Sequence, residues 1–316
     1  MNNNILIELI DKYKVKVINI ENNKNTAINS KVDKIYVINL LENEINRNYI
    51  LILMKKYNIN FSLVIVEKVT DEMYQLVKKT LNISKSELGC SLSHLWCLNN
   101  IIKNSYKNAI VFEDDIIFNK KFTKTFLEII KKNYDFLLLG ACDFNFASNN
   151  YKAVKSGQYY PSSFSKLYGA HSNYYSLAGA KKMFEIKTNN FSFFDKDYNL
   201  IFNEFNNSSA VCYPNLVACD ISKSDINHTY KLLSLTEKYY YDKCFDKFSF
   251  KHYNFIYINL LKNSEINYNK FDNYEKYIDC VLYNYFYDEE KIQLIKNRLD
   301  VNFFNMEDIK ALLFTE

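Results

Sequence analysis

At 316 residues, 48% of them hydrophobic and 24% charged, the chain can fill the core of one sizeable α/β domain plus an appendage, which excludes a disordered protein. Forty basic residues against 36 acidic ones leave a net charge of +4, too small an excess to indicate a nucleic-acid partner. Seven cysteines, an odd number with no Cys-x-x-Cys pair, argue against a disulfide framework and a structural zinc site, and for thiols in a reducing compartment.

The N-terminal stretch holds only the short apolar patch Ile5-Leu6-Ile7, with Glu8 and Asp11 close behind. Neither a secretory signal nor a transmembrane run is visible, so a cytoplasmic protein is expected, with membrane-peripheral or virion-associated placement as alternatives. The heavy use of Asn, Lys, Ile, Tyr and Phe looks like the codon bias of an A/T-rich genome, such as that of a giant virus or a bacterium.

Lys34 to Leu40 reads as a strand, Glu42 to Tyr57 as a helix and Phe61 to Val66 as a second strand. A helix follows from Ser86, taken as its N-cap, to about Ile102, with Leu88, Leu92, Leu95, Leu98 and Ile102 on one face. Its polar face presents Ser91, Ser93 or His94, and Trp96 is assigned to the core. A strand from Ala109 runs into Glu113-Asp114-Asp115, a helix spans about Lys120 to Lys132, and a strand from Tyr134 to Leu139 stops at Gly140. This alternation predicts a mainly parallel central sheet covered on both faces. From Asp143 to Lys166 the sequence is polar and irregular, either part of an acceptor lid or a plain surface excursion. Beyond about Tyr230, helical spacing at Tyr277, Val281 and Tyr285 and at Ile292, Ile295 and Leu299 suggests a helical appendage. The expected domains are 1–230 and a C-terminal extension 231–316. The extension packs on the core, docks a membrane surface or partner, or mediates a homo-oligomer.

The acidic triplet carries the most chemical information. An apolar strand that ends in carboxylates puts them at the C-terminal edge of a sheet, where open α/β folds place their ligand crevice. Carboxylate oxygens suit magnesium or manganese, which keep open positions for a substrate's phosphates. The triplet is thus either a metal–diphosphate anchor or an ordinary solvated turn.

Six pieces, in order, resemble glycosyltransferase family 25, which includes lipopolysaccharide sugar transferases and collagen hydroxylysine galactosyltransferases. They are Val37-Ile38-Asn39-Leu40 with Arg47; Glu87, Gly89, Cys90, Ser93 and His94; Glu113-Asp114-Asp115; Tyr168-Gly169-Ala170-His171 with Tyr174-Tyr175-Ser176 and Gly179-Ala180; Phe194-Asp195; and Ser224-Asp225-Ile226. Phe193-Phe194 stands where relatives often carry a proline before the acid, and Lys196-Asp197 follows, so two acids compete for one role.

The resemblance implies a GT-A type nucleotide-sugar fold and inverting transfer of a hexose, galactose or glucose, from a UDP-sugar to a hydroxyl of a glycan or of hydroxylysine. It implies Mn2+ or Mg2+ at Asp115, with Asp114 and Asp225 assisting. Asn39, Leu40, Arg47, Ser93, His94, Glu113 and Asp114 are the expected nucleotide-sugar contacts. Glu113 is placed either beside the cation or on the ribose, and His94 either on a ligand or on buried backbone groups. Inversion needs a base for the acceptor hydroxyl, Asp195 first and Asp197 second. His228 is a further candidate contact or simply an exposed polar residue. A catalytically inactive sugar-nucleotide or glycan-binding protein of the same fold is the alternative, and phosphoester hydrolysis ranks last.

Overall fold

The structure, a computed structural model, describes residues 3–22, 26–78, 81–119, 121–141, 157–159, 167–196, 198–213 and 215–219. The expected C-terminal extension and most of the expected lid, together with Asp197, Asp225 and His228, lie outside the described residues.

Helix α1 (Asn3–Lys12) and strand β1 (Val15–Ile20) precede the strand anticipated at 34–40, which is β2 (Lys34–Leu40). Then follow α2 (Glu44–Lys56), β3 (Phe61–Val66), α3 (Asp71–Lys78), α4 (Lys85–Lys103) and β4 (Asn108–Glu113). After the acidic turn come β5 (Ile116–Phe118), α5 (Phe122–Ile129), β6 (Phe136–Leu138), β7 (Gly157–Tyr159) and β8 (Ser172–Ser176). The described part closes with α6 (Leu177–Asn189), α7 (Tyr198–Phe205), β9 (Ser209–Tyr213) and β10 (Val217–Cys219).

The main sheet has the order β1-β3-β2-β4-β8-β6-β9-β7. Strands β3, β2, β4, β6 and β9 run one way, and β1, β8 and β7 run against them. The sheet is therefore mixed but mostly parallel, and the antiparallel members are the two edges plus β8. Strand β7 corrects the expectation of unbroken irregular chain from Asp143 to Lys166, because Gly157–Tyr159 pairs with β9.

Chain order decides where a ligand can sit. Strand β2 is followed by α2 and β3 on one side, and the chain then returns through α3 and α4 to β4 on the other. Right-handed crossovers in opposite directions put α2 and α4 on opposite faces and leave a crevice between the ends of β2 and β4. Side chains of β2 sort accordingly. Tyr36 turns to α4, donating to Asn100 Oδ1 at 2.5 Å, and Ile38 and Leu40 share its face by the period of two. Asn39 points the other way, toward α2, where Tyr49, Ile50, Leu53 and Met54 are buried. Beyond α2 the aromatic rings of Tyr57, Phe118 and Phe122 pack together, with Phe118 and Phe122 stacked at 4.1 Å.

Helix α4 starts earlier than Ser86. Ser84 is its N-cap, accepting from Glu87 N at 3.1 Å while Glu87 Oε2 accepts from Ser84 N at 2.6 Å. This reciprocal capping box satisfies two otherwise orphaned donors and fixes the start of the helix. Trp96 is half-buried rather than fully in the core, edge-on to Tyr36 at 6.4 Å.

Gly179 explains the Gly-Ala pair at the head of α6. Ser176 caps the helix by accepting from Gly179 N at 2.9 Å, while its own N–H and hydroxyl donate to Asp135 O and Oδ1. The helix start lies so close to the Asp135 carbonyl that a Cβ on residue 179 would meet that oxygen at 1.8 Å. Gly179→Ala is expected to cost about 3 kcal/mol, the upper range for overpacking. Urea unfolding checks this through a lower midpoint at unchanged slope, and an unmoved midpoint would refute the close-approach argument.

Candidate active site

Asp114 and Asp115 form the turn between β4 and β5, at the crevice between β2 and β4. Asp114 is held from the α2 side by two amides. Asn39 Nδ2 donates to its Oδ2 at 2.6 Å, and Asn46 Nδ2 donates to its Oδ1 at 3.0 Å. Asn39 is buried, donates also to Asn43 O and accepts from Arg47 Nε at 3.2 Å. Arg47 further donates to the Leu41 carbonyl. Asn39 and Arg47, expected as ligand contacts, thus brace the β2–α2 turn and orient Asp114 from behind. Asn46 does the same work, and nothing in a chain so rich in asparagine distinguished it.

On the α4 side opens a cleft of about 330 Å³. Its floor carries Glu113, Asp114, Asp115, Cys90 and His94, its sides include Ile38, Leu40, Val66 and Ser93, and Lys68 and Lys85 stand among the lining residues. Ser93 is buried, donating to Gly89 O at 2.7 Å and within 3.2 Å of the Tyr13 hydroxyl. Tyr13, just past α1, also lines the cleft, and burial pushes its phenol up to about 12. It went unrecognised in the sequence because its partner lies 80 residues away.

Glu113 is the hub of a polar network. His94 Nε2 lies 2.9 Å from Glu113 Oε1 and the Cys90 thiol donates to the same oxygen at 3.6 Å. Burial pulls the Glu113 carboxyl upward, but the hydrogen bond and charge of His94, with a contribution from His171, hold it below the ordinary glutamate range. Phe194 stacks on the His94 ring at 4.4 Å. His94 Nδ1 is buried without a hydrogen-bond partner among the described residues, so the Glu113 contact and the Phe194 stack fix the ring.

Burial raises the Cys90 thiol well above its usual value, and the charges of Glu113, Asp195 and Asp115 raise it further. The ligating atoms of Cys90, His94 and Glu113 fall within 4.8 Å of one another, which makes them a possible metal triad. A metal there would displace the thiol proton and the His94–Glu113 bond. Asp114 and Asp115 supply oxygen donors alone, the set that fits manganese or magnesium.

Asp195 does not line the cleft, but it is close enough to Cys90 and Glu113 for their charges to interact. The Gly169 N–H, from a glycine at φ 117°, donates to Asp195 Oδ2 at 2.7 Å. Burial nonetheless raises the Asp195 carboxyl, with Glu113 adding to the shift. The motif pieces Gly89–His94, Glu113–Asp115, Gly169 and Phe194–Asp195 therefore converge in space.

A crevice between β2 and β4 lined by carboxylates lies where open α/β folds bind their ligands. The family model described as Glycosyltransferase family 25 (LPS biosynthesis protein) matches residues 32–192, just over half of the chain, and the chain belongs to that family. It is a glycosyltransferase, which implies a sugar donor and an acceptor. No curated protein matches it. The matched span ends before Phe194, so Asp195 and Asp225 lie beyond it. No helix among the described residues is long and apolar enough to cross a membrane.

Proposed function

We propose that the chain is a metal-dependent, inverting hexosyltransferase of GT-A type, moving galactose or glucose from a UDP-sugar to a hydroxyl of a glycan or of hydroxylysine. The observation that carries this is the preorganised Asp114, held by Asn39 and Asn46 beside Asp115 in the lining of the cleft. A diphosphate entering a pocket with three carboxylates meets like charge, a conflict that a bound hard dication would relieve. Asp114 and Asp115 are the residues that would hold the cation. When bound, it neutralises charge on the departing nucleoside diphosphate.

The protein's own groups do the rest. Lys68, ion-paired with Glu42, and Lys85, ion-paired with Asp71, line the cleft and are the cations that would turn to the anionic donor. Glu113, kept ionised by His94, is an acceptor for a ribose hydroxyl. Asp195, its carboxyl raised by burial, takes the proton of the acceptor hydroxyl as that oxygen attacks the anomeric carbon. The cytoplasm is the proposed site of action.

The test is nucleotide release from UDP-, GDP- and dTDP-hexoses with free hydroxylysine or a β-galactoside as acceptor, in manganese or in chelator. The expected result is UDP release from one hexose donor in manganese, suppressed by chelation. Release unaffected by chelator would overturn metal dependence. Donor-induced thermal stabilisation without turnover would favour a binding protein of the same fold.

A further inference from the structure

The turn 193–196, closed by a hydrogen bond from Lys196 N to Phe193 O at 3.1 Å, carries Asp195 and is tied down from three directions. From α4, the Ser91 hydroxyl, which donates to Glu87 O at 2.8 Å, lies 3.3 Å from Ser192 O, and His94 stacks on Phe194. From the segment before β8, Gly169 N donates to Asp195 itself. From α6 comes Lys187, a lysine only 2% exposed, whose Nζ donates to Lys196 O at 3.1 Å. That ammonium lies 5.6 Å from the Phe194 ring centroid and 5.8 Å from that of Tyr198.

Burying an ammonium is costly unless charge and hydrogen bonds compensate it. A methionine of similar length would fill the same space without that cost. Lys187 directs its charge at both residues flanking Asp195, one through a carbonyl and the other through the face of a ring, and at the Tyr198 ring as well. Phe194 passes the constraint on to His94, and His94 to Glu113.

We propose that Lys187 is a positioning residue for glycosyl transfer, an internal cation that locks the 193–196 turn and fixes the aim of Asp195 toward the acceptor hydroxyl. The proposal rests on the assignment of Asp195 as the base. Around Asp195 stand Glu113 at the end of β4, Cys90 on α4, Lys187 on α6, Tyr198 on α7 and the Gly169 N–H. Lys187 is the cation among them and favours the ionised carboxylate, so its removal shifts the acidic limb of the rate profile to higher pH.

The experiment compares wild type, Lys187→Met, Lys187→Arg and Asp195→Asn by thermal melting, donor KM, kcat and the pH dependence of kcat/KM. Lys187→Met is expected to lower kcat by about 10- to 100-fold, the cost of misaimed groups, with donor KM within about twofold. Its acidic limb moves upward, and Lys187→Arg restores the limb and part of kcat. An unmoved limb with kcat near wild type, or a loss that merely tracks a lower melting temperature in both Lys187 variants, overturns the proposal. Full activity in Asp195→Asn would instead refute the base assignment, so the two failures are separable.

Discussion

Asp115→Ala is expected to lower glycosyl transfer by about 10³-fold or more, the scale on which lost electrostatic stabilisation of a leaving group is felt. The melting temperature should stay near that of wild type. Asp115 sits half-buried in the turn after β4, among the carboxylates that line the cleft rather than in the apolar core. Asp114 is a poorer choice for the same test. Its carboxylate accepts from the buried amide of Asn39 and from Asn46, and truncation would strand a buried donor at about 1–3 kcal/mol. A loss of activity there would mix chemistry with stability. Steady-state nucleotide release in saturating manganese checks the prediction. Wild-type turnover in Asp115→Ala would remove Asp115 from the metal role and shift attention to Cys90, His94 and Glu113.

The parallel half of the sheet and its acidic edge were legible in the sequence because both rest on local patterns. Phe61–Val66 is six consecutive buried residues and reads as a strand from either end. Glu113-Asp114-Asp115 announces the end of β4 by an abrupt change of polarity. Strands β7 and β10 escaped because three residues carry too little periodicity, and β1 because an exposed edge strand has little to bury. The start of α4 was misread by two residues, since Ser84 and Ser86 are both plausible caps and only Ser84 has Glu87 three positions on.

In the site, the sequence supplied residue types but not their division of labour. Asn39 and Arg47 are polar groups near the end of a strand, which suggests ligand contacts. Alternation along β2 turns Asn39 away from the cleft, its amide donating to Asp114 and to the Asn43 carbonyl, while Arg47 donates to Asn39 Oδ1 and to the Leu41 carbonyl. His94 and Glu113 are 19 residues apart, and only the crossover from α4 to β4 brings them together. Lys187 looks like one more lysine on an amphipathic helix until its burial is known. Short-range chemistry was readable; the pairing of elements that turns it into a network was not.

Asp195→Asn tests the other half of the mechanism. The isosteric amide can still accept from Gly169 N, so the turn should hold its shape while the base is lost. The kcat/KM is expected to fall by about 10²- to 10⁴-fold, the usual weight of a general base. The pH profile is the more specific readout. A base works only when deprotonated, so the rate falls as pH drops through its pKa. Burial of Asp195, reinforced by the charge of Glu113, raises that pKa against the opposing pull of the Gly169 N–H and Lys187. The acidic limb of wild-type kcat/KM therefore lies above the range of an ordinary exposed aspartate, with activity retained above it and lost below. In Asp195→Asn that limb disappears and the residual rate no longer follows the missing carboxyl. If the variant keeps both the limb and the rate, the proton leaves through another group, and Asp197, two residues along the chain, is the next to replace.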